Sequence, residues 1–501
     1  MAIASILSGC ATNPLEDRVW GPSYEPLNIY TKDHTLPPQL RRLAVLPLTN
    51  VSPDPGQEYF VAALTDELSR ALSGITSLRV TSRTSTAQFK DTKLSMPQIA
   101  AALGVDGLIE GSVVRDGEHV RINAKLVHGP SERTLWANAY DGELRGVLDL
   151  QRRVAEAIAV EVRATITPDE QQSLRTSRQV NPAAMDLYLK GRESLFRGNS
   201  TAAGFVPEAL LGALETFNEA LKLEPDWAEP HSGVAAANHW LASGGFDPHV
   251  RFPQARDAAV RAISLDEREA DAHGALAYVS FAYFWDLDRS EREYTRAIQL
   301  GAGPNHFIGY SKLLQALGRF NEAEVAMDQA ISRNPLSAVF RFERAKLSLM
   351  SKKPDEAIAR AADIPQSAAN TRHLVISQAL LLKGQPEQAI AELKQASVPF
   401  VGQTAIALAR AGRRSEARTR LAEFEKKVNE EKVTSGADQL TLAEIYLSLG
   451  DRGRALEALD RAHTQKALWM PLINVNPAFD DVQSDSRFKS LLRRLGFPAT
   501  R

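Results

Sequence analysis

Residues 318–335 read GRFNEAEVAMDQAISRNP, from Gly318 through Ala323 to Pro335. A glycine is followed five residues later by an alanine, and the helix-forming run after it stops at a proline. The same Gly-to-Ala step recurs at Gly384/Ala389, Gly412/Ala417 and Gly450/Ala455. At Lys352/Ala357 a lysine stands in the glycine's place, and Glu322, Glu356, Gln388 and Glu416 precede the alanine in their copies. Ala323 to Ala357 is 34 residues and Ala357 to Ala389 is 32, so this is a repeat rather than a coincidence of composition. Glycine ends one helix in a conformation that costs other residues more. Alanine lets the next helix lie close, and proline stops it. Phe217 and Tyr294, each three residues before an alanine (Ala220, Ala297), are expected to fill the space between helices.

A period near 34 residues with two helices per copy is the tetratricopeptide pattern. One such unit cannot bury its apolar face alone, so neighbours must stack into a superhelix. The pattern predicts about eight hairpins over residues 180–470. A loop from Gly198 to Pro207 delays the second helix of the first unit, an insertion spans Trp240 to Pro253, and a capping helix and tail occupy 471–501. First helices of stacked hairpins line a concave groove. The groove positions expected here are Asn305, Ile308, Lys312 and Gln315 in one copy and Val339, Phe342 and Lys346 in the next. Two lysines at one phase point to a peptide carboxylate or acidic side chain as the ligand, unless they simply solvate an exposed face.

Upstream, the periodicity changes. Leu43 to Leu48 and Leu78 to Ser82 read as buried strands. Runs at 107–113, 120–127 and 135–140 read as three more, the first two joined through Asp116-Gly117, a hairpin signal because both residues tolerate positive φ. Helical patterns fall between Pro55 and Gly74, over Met96–Leu103, and on Val147, Leu150, Val154, Ile158 and Val162. The order β-α-β-α-β-β-β-α predicts a mixed α/β sandwich over 41–170. The fold class is therefore α+β overall, the sandwich being followed by an all-α superhelix.

The segments Leu43-Ala44-Val45-Leu46-Pro47-Leu48, Asp54-Pro55, Glu58-Tyr59-Phe60, Leu108-Ile109-Glu110-Gly111-Ser112-Val113 and Leu135-Trp136-Ala137 resemble a TolB-amino-terminal-like domain. The resemblance covers most of residues 42–165. It implies a module that precedes tetratricopeptide repeats, often behind a winged-helix or adenylate cyclase domain. The residues before Leu43 carry neither pattern, so those activities are not carried over. Arg83 and Glu110 could hold a small anion or a partner strand; the plainer reading gives them structural roles.

The chain contains one cysteine, Cys10, within Leu7-Ser8-Gly9-Cys10 after an apolar stretch. That pattern resembles a bacterial lipobox, although no Lys or Arg precedes it and the apolar run is short. Residues 1–10 are accordingly read as a signal and lipobox segment and 11–40 as a proline-punctuated linker. One cysteine excludes an intrachain disulfide and a cysteine zinc site. Lys+Arg 59 against Asp+Glu 61 gives a net charge of -2, without a global bias toward nucleic acid. No phosphate loop, metal-binding helix or nucleophile constellation stands out, so no catalytic residue, metal or cofactor is assigned. The expectation is a non-catalytic scaffold binding a protein or peptide in its groove, without nucleic acid, lipid-anchored through Cys10 in a bacterial envelope and facing the periplasm. The alternative is the cytoplasmic sensory half of an adenylate cyclase-like or winged-helix regulator-like protein.

Overall fold

The computed structural model describes residues 40–175, 179–199, 205–430 and 436–498. Cys10 and the expected lipobox and linker lie outside the described residues, apart from Leu40. The strands are β1 (Arg42–Val45), β2 (Thr49–Asn50), β3 (Arg79–Thr81), β4 (Gly107–Asp116), β5 (His119–His128) and β6 (Thr134–Glu143). They form one sheet in the order β3-β1-β4-β5-β6, with β2 on β4. β1 runs parallel to β3 and β4, while β4, β5 and β6 are antiparallel. The strand expected from Leu43 to Leu48 ends at Val45, shortly before Pro47, which has no N–H to give a ladder, and pairing resumes only beyond the run, at β2.

Alternation along β1 explains its wholly apolar sequence. Leu43 and Val45 join a core with Phe60, Leu64 and Ile158, from helices Glu58–Ser73 and Val147–Glu161. Ala44 and Leu46 join Ile99 and Leu103 of helix Met96–Leu103 on the opposite face. Both faces are covered there, so no polar residue is tolerated. The Asp116-Gly117 turn closes the β4–β5 hairpin with Gly117 at φ 57°.

Among the described residues, sixteen further helices pair into eight hairpins. The first four are Pro182–Gly198 with Pro207–Leu223, Ala228–Ser243 with Pro248–Leu265, Ala270–Val279 with Leu287–Gln299, and Pro304–Ala316 with Phe320–Arg333. The next four are Ala338–Met350 with Pro354–Ala361, Ala369–Leu382 with Pro386–Leu393, Val401–Arg410 with Arg414–Glu430, and Ala437–Ser448 with Arg452–Thr464. The stretch from Trp240 to Pro253 is no insertion: it is the turn of the second hairpin, and Pro253 lies inside a helix. An internal proline suggested a break, but only one backbone bond is forfeited and the buried Phe252 keeps the turn in place.

The repeat residues act as their chemistry requires. Phe217, fully buried, is clamped between Gly191 and Gly233 of the first and second inner helices, where an added Cβ would meet its ring at 2.6 Å. Gly318, Gly384, Gly412 and Gly450 all have φ between 70° and 83°. Lys352, which replaces the glycine, is held at φ 58°. Its ammonium pairs with Asp480 at 2.7 Å, but both side chains are about half exposed and the pair contributes little. Lys352→Gly is therefore expected to stabilise the chain by about 1 kcal/mol, since relief of the left-handed strain outweighs the added freedom of the unfolded glycine. Urea unfolding checks this, and a loss of stability would show that the side chain matters more than the backbone.

The described residues form one compact unit. A single core runs from Leu64 and Ile158 of the module into Tyr188, Phe217 and Trp227 of the first two hairpins. At the fourth hairpin the module touches the array again: Ser82 N–H donates to the Arg333 carbonyl at 2.7 Å and the Ser85 hydroxyl to Asn334 Oδ1 at 2.6 Å. The last segment does more than cap an end. It consists of a 3-10 turn (Met470–Asn474), a second (Pro477–Val482) and helix Ser486–Arg494, rather than one helix. Met470, Phe479 and Phe488 share a core with Phe281 and Leu313 of the third and fourth hairpins, and Asn474 Nδ2 donates to the Ala316 carbonyl at 2.9 Å. The superhelix thus curls around the module on one side and its own carboxy-terminal segment on the other.

Candidate binding chamber

Between these fillings the concave face retains a cavity of about 890 Å³. Its walls come from helix Glu58–Ser73, the end of β3, and the inner helices of the first five hairpins. That volume is in the range of small-molecule or chain-terminus sites.

One wall is a buried charge network that joins the module to the array. Arg192 of the first hairpin donates to Asp66 at 2.6 Å, and lies 3.3 Å from Glu67 and 3.5 Å from Asp271. Arg70 is surrounded more loosely, at 3.5 Å from Glu67, 3.6 Å from Glu269 and 3.7 Å from Asp271. The buried Tyr188 hydroxyl donates to Glu67 at 2.8 Å. Local folding explains the acidic positions. Glu229 and Asp271 lie in the first turns of inner helices and Glu269 at an N-cap, where the helix dipole favours negative charge.

Electrostatics divides these carboxyls. Burial pushes both Asp66 and Asp271 upward, but nearby guanidinium groups, Arg192 for Asp66 and Arg70 for Asp271, overcome it and hold both below the usual range. Glu269 is pushed up to about 8, first by burial, with Asp271 and Glu229 adding to it against Arg70. Glu229 is raised as well, chiefly by burial. His306 Nε2 stands 3.4 Å from Asp271, in a space opened by Gly274, whose Cβ would fall 2.1 Å from the ring. His239, pushed down to about 3 by burial, is neutral at ordinary pH and packs against Trp240 and Tyr278, each ring 4.8 Å away.

The expected groove residues divide between two places. Asn305, Ile308 and Lys312 line the chamber, together with Val339 and Glu343. Lys312 already grips a carboxylate, that of Glu343 at 2.8 Å, and its ammonium lies 4.3 Å above the Trp469 ring. Both partners are largely buried, which lowers the lysine's pKa. Gln315 is buried, its amide 3.4 Å from the Ser311 hydroxyl, so it does not face the chamber. Phe342 packs into the core of the fifth hairpin, and Lys346 reaches back over its ring at 5.5 Å. Arg83 also lines the chamber but is held by Glu193 at 2.5 Å over the Phe196 ring. Glu110 pairs across the sheet with Lys125 at 2.7 Å, from directly opposite positions.

Arg70, Arg192, Glu229, Glu269, Asp271 and Trp469 were not among the expected site residues. The available signal was charge beside an apolar stripe, as in Leu64-Thr65-Asp66-Glu67-Leu68-Ser69-Arg70. Such charges normally face solvent; only the docking of two distant segments buries these.

No family model matches the chain. A protein of Rhizobium meliloti (strain 1021) named "Putative adenylate cyclase 3" is 28% identical over 287 residues, 56% of this chain. The chain spans about half of that relative's length, 47%. Among solved structures, a tetratricopeptide repeat protein from Parabacteroides merdae is 14% identical, with 62% of this chain and 100% of that one covered at a TM-score of 0.33. Yeast Tom70 is 15% identical, covering 62% of this chain and 66% of its own at 0.38. The lipoprotein GNA1162 from Neisseria meningitidis is 16% identical, covering 25% and 98% at 0.19.

Proposed function

We propose that the chain is a non-catalytic binding scaffold whose ligand, a peptide segment or protein terminus, enters the chamber between the α/β module and the inner helices. The observation that carries this reading is the cavity itself, kept open where the rest of the concave face is filled by packed side chains. A photo-crosslinking residue at Ile308, on the chamber wall, should yield a discrete adduct in cells. The same residue at Val325, 63% exposed on an outer helix, should not. Equal adducts from both positions would remove the chamber from the reading.

The Leu-Ser-Gly-Cys motif supports a lipid anchor on Cys10, with the scaffold held at a bacterial envelope and facing the periplasm. Metabolic labelling with an alkyne fatty acid should mark the wild type and leave Cys10→Ala unlabelled. A second reading, the sensory portion of a signalling protein, is favoured by the likeness to the Rhizobium protein and by the TolB-like segments. It predicts that the purified chain produces no cyclic AMP from ATP, yet alters that activity in a separately supplied cyclase.

A further inference from the structure

The two edges of the sheet are treated differently. β3 is met by the fourth hairpin through Ser82 and Arg333, whereas β6 pairs with β5 alone. β6 is ten residues long and contains no proline or lysine, residues that commonly blunt an edge. Two hydrogen bonds show which of its groups point away from β5. The Ala139 N–H donates to the Asn138 side-chain oxygen at 2.8 Å, and the Asp141 carbonyl accepts from Arg153 at 3.2 Å. Backbone direction alternates along a strand, so Ala137, Ala139 and Asp141 face outward together. Among the described residues no backbone hydrogen bond from beyond the sheet reaches these three. Apolar surface flanks the same edge. Trp136 and Tyr140, ring centroids 6.2 Å apart, are only partly buried against the core. Arg153 places its helix, Val147–Glu161, beside the edge, and Val160, two turns on, shares that helix face. Val160 is 66% exposed, more than any other large apolar side chain among the described residues.

An open row of N–H and C=O groups is a template for another strand, and this edge is complementary to itself. In an antiparallel pair outward residues must meet outward residues. A two-fold axis through Asn138 satisfies that: Ala137 falls opposite Ala139, and Trp136 opposite Tyr140, across two copies. The same pairing brings Arg133 of one copy beside Glu143 of the other, at both ends of the seam. The present pair of Glu143 with Arg145, at 2.6 Å, is exposed on both sides and holds Glu143 weakly. We propose that the chain self-associates through β6, two edges joining antiparallel about Asn138 into one continuous sheet, with Val160 beside the seam.

Sedimentation velocity of the full chain across the micromolar range tests this, with a reversible dimer expected. Ala139→Pro removes an outward N–H that β5 does not use, so it should weaken the dimer at least ten-fold and leave the circular dichroism unchanged. Ala137→Glu/Ala139→Glu, which sets four carboxylates around the axis, should do the same without touching the backbone. Antiparallel partners outside the hydrogen-bonded pairs stand about 4.5 Å apart at Cα, within disulfide reach. Asn138→Cys in a Cys10→Ala background should therefore oxidise to a covalent dimer, and Asn123→Cys on β5 should not. A wild-type chain that stays monomeric overturns the proposal, as does a dimer that survives both edge variants or that Asn138→Cys does not seal.

Discussion

Arg192→Ala is expected to destabilise the protein by about 3–5 kcal/mol, the cost of leaving buried charges unpaired. Its guanidinium is 12% exposed and engages Asp66, Glu67 and Asp271, which belong to the module and to the third hairpin. Truncation takes away the 2.6 Å donor of Asp66 and leaves Glu67 and Asp271 to Arg70, 3.5 Å and 3.7 Å away. Asp66 is held below its usual pKa largely by Arg192 against the opposing effect of burial. In the variant that carboxyl should titrate higher, and the deficit should shrink as pH falls toward 4 and protonation removes the charge. Arg192→Met with Asp66→Asn should recover part of the loss by removing both ends of the closest pair. Urea unfolding of the three proteins at pH 7 and pH 4.5 gives the comparison. A loss below about 1 kcal/mol would mean that the network only decorates an interface held by apolar packing.

Glu269→Gln carries the second large effect, of opposite sign. A carboxyl raised from 4.5 to about 8 binds a proton in the folded state that the unfolded state has released. Stability from this group is therefore present at low pH and lost as pH rises through the window from about 4.5 to 8. His239 works in the other direction, because its folded pKa of about 3 makes stability fall as pH drops below its ordinary 6.5. The two oppose each other between 4.5 and 6.5. Above 6.5 the slope belongs to Glu269 with Glu229 beside it, against the facing charges of Arg70 and Asp271. Wild-type stability should decline between pH 6.5 and 8, and Glu269→Gln should flatten that decline and gain on the order of a few kcal/mol at pH 8. A variant that keeps the wild-type slope would assign the titration elsewhere.

Much of the fold was legible because it depends on local chemistry. Gly117 and Gly318 need positive φ, Leu43 to Leu46 alternate between two covered faces, and Phe217 needs glycines opposite it. Each requirement leaves its mark within a few residues or at a fixed period. The site was less legible. Lys312 was found as a groove residue, but Glu343, which neutralises it, is 31 residues away on the next inner helix, and Trp469 comes from the far end of the chain. A lysine at helical spacing looks the same whether it awaits a ligand or already holds one.

By itself, then, the sequence determined the elements: a mixed sheet with helices on both faces, a helical hairpin repeated at about 34 residues, and the small residues that set how closely neighbours stack. Only the tertiary structure decided what fills the concave face, because that depends on curvature accumulated over several hairpins. The curl brings Ser85 to Asn334, Asn474 to Ala316 and Arg192 to Asp271. Those contacts turn an expected groove into a deeper, partly closed chamber, where burial rather than residue type sets the charge of Glu269.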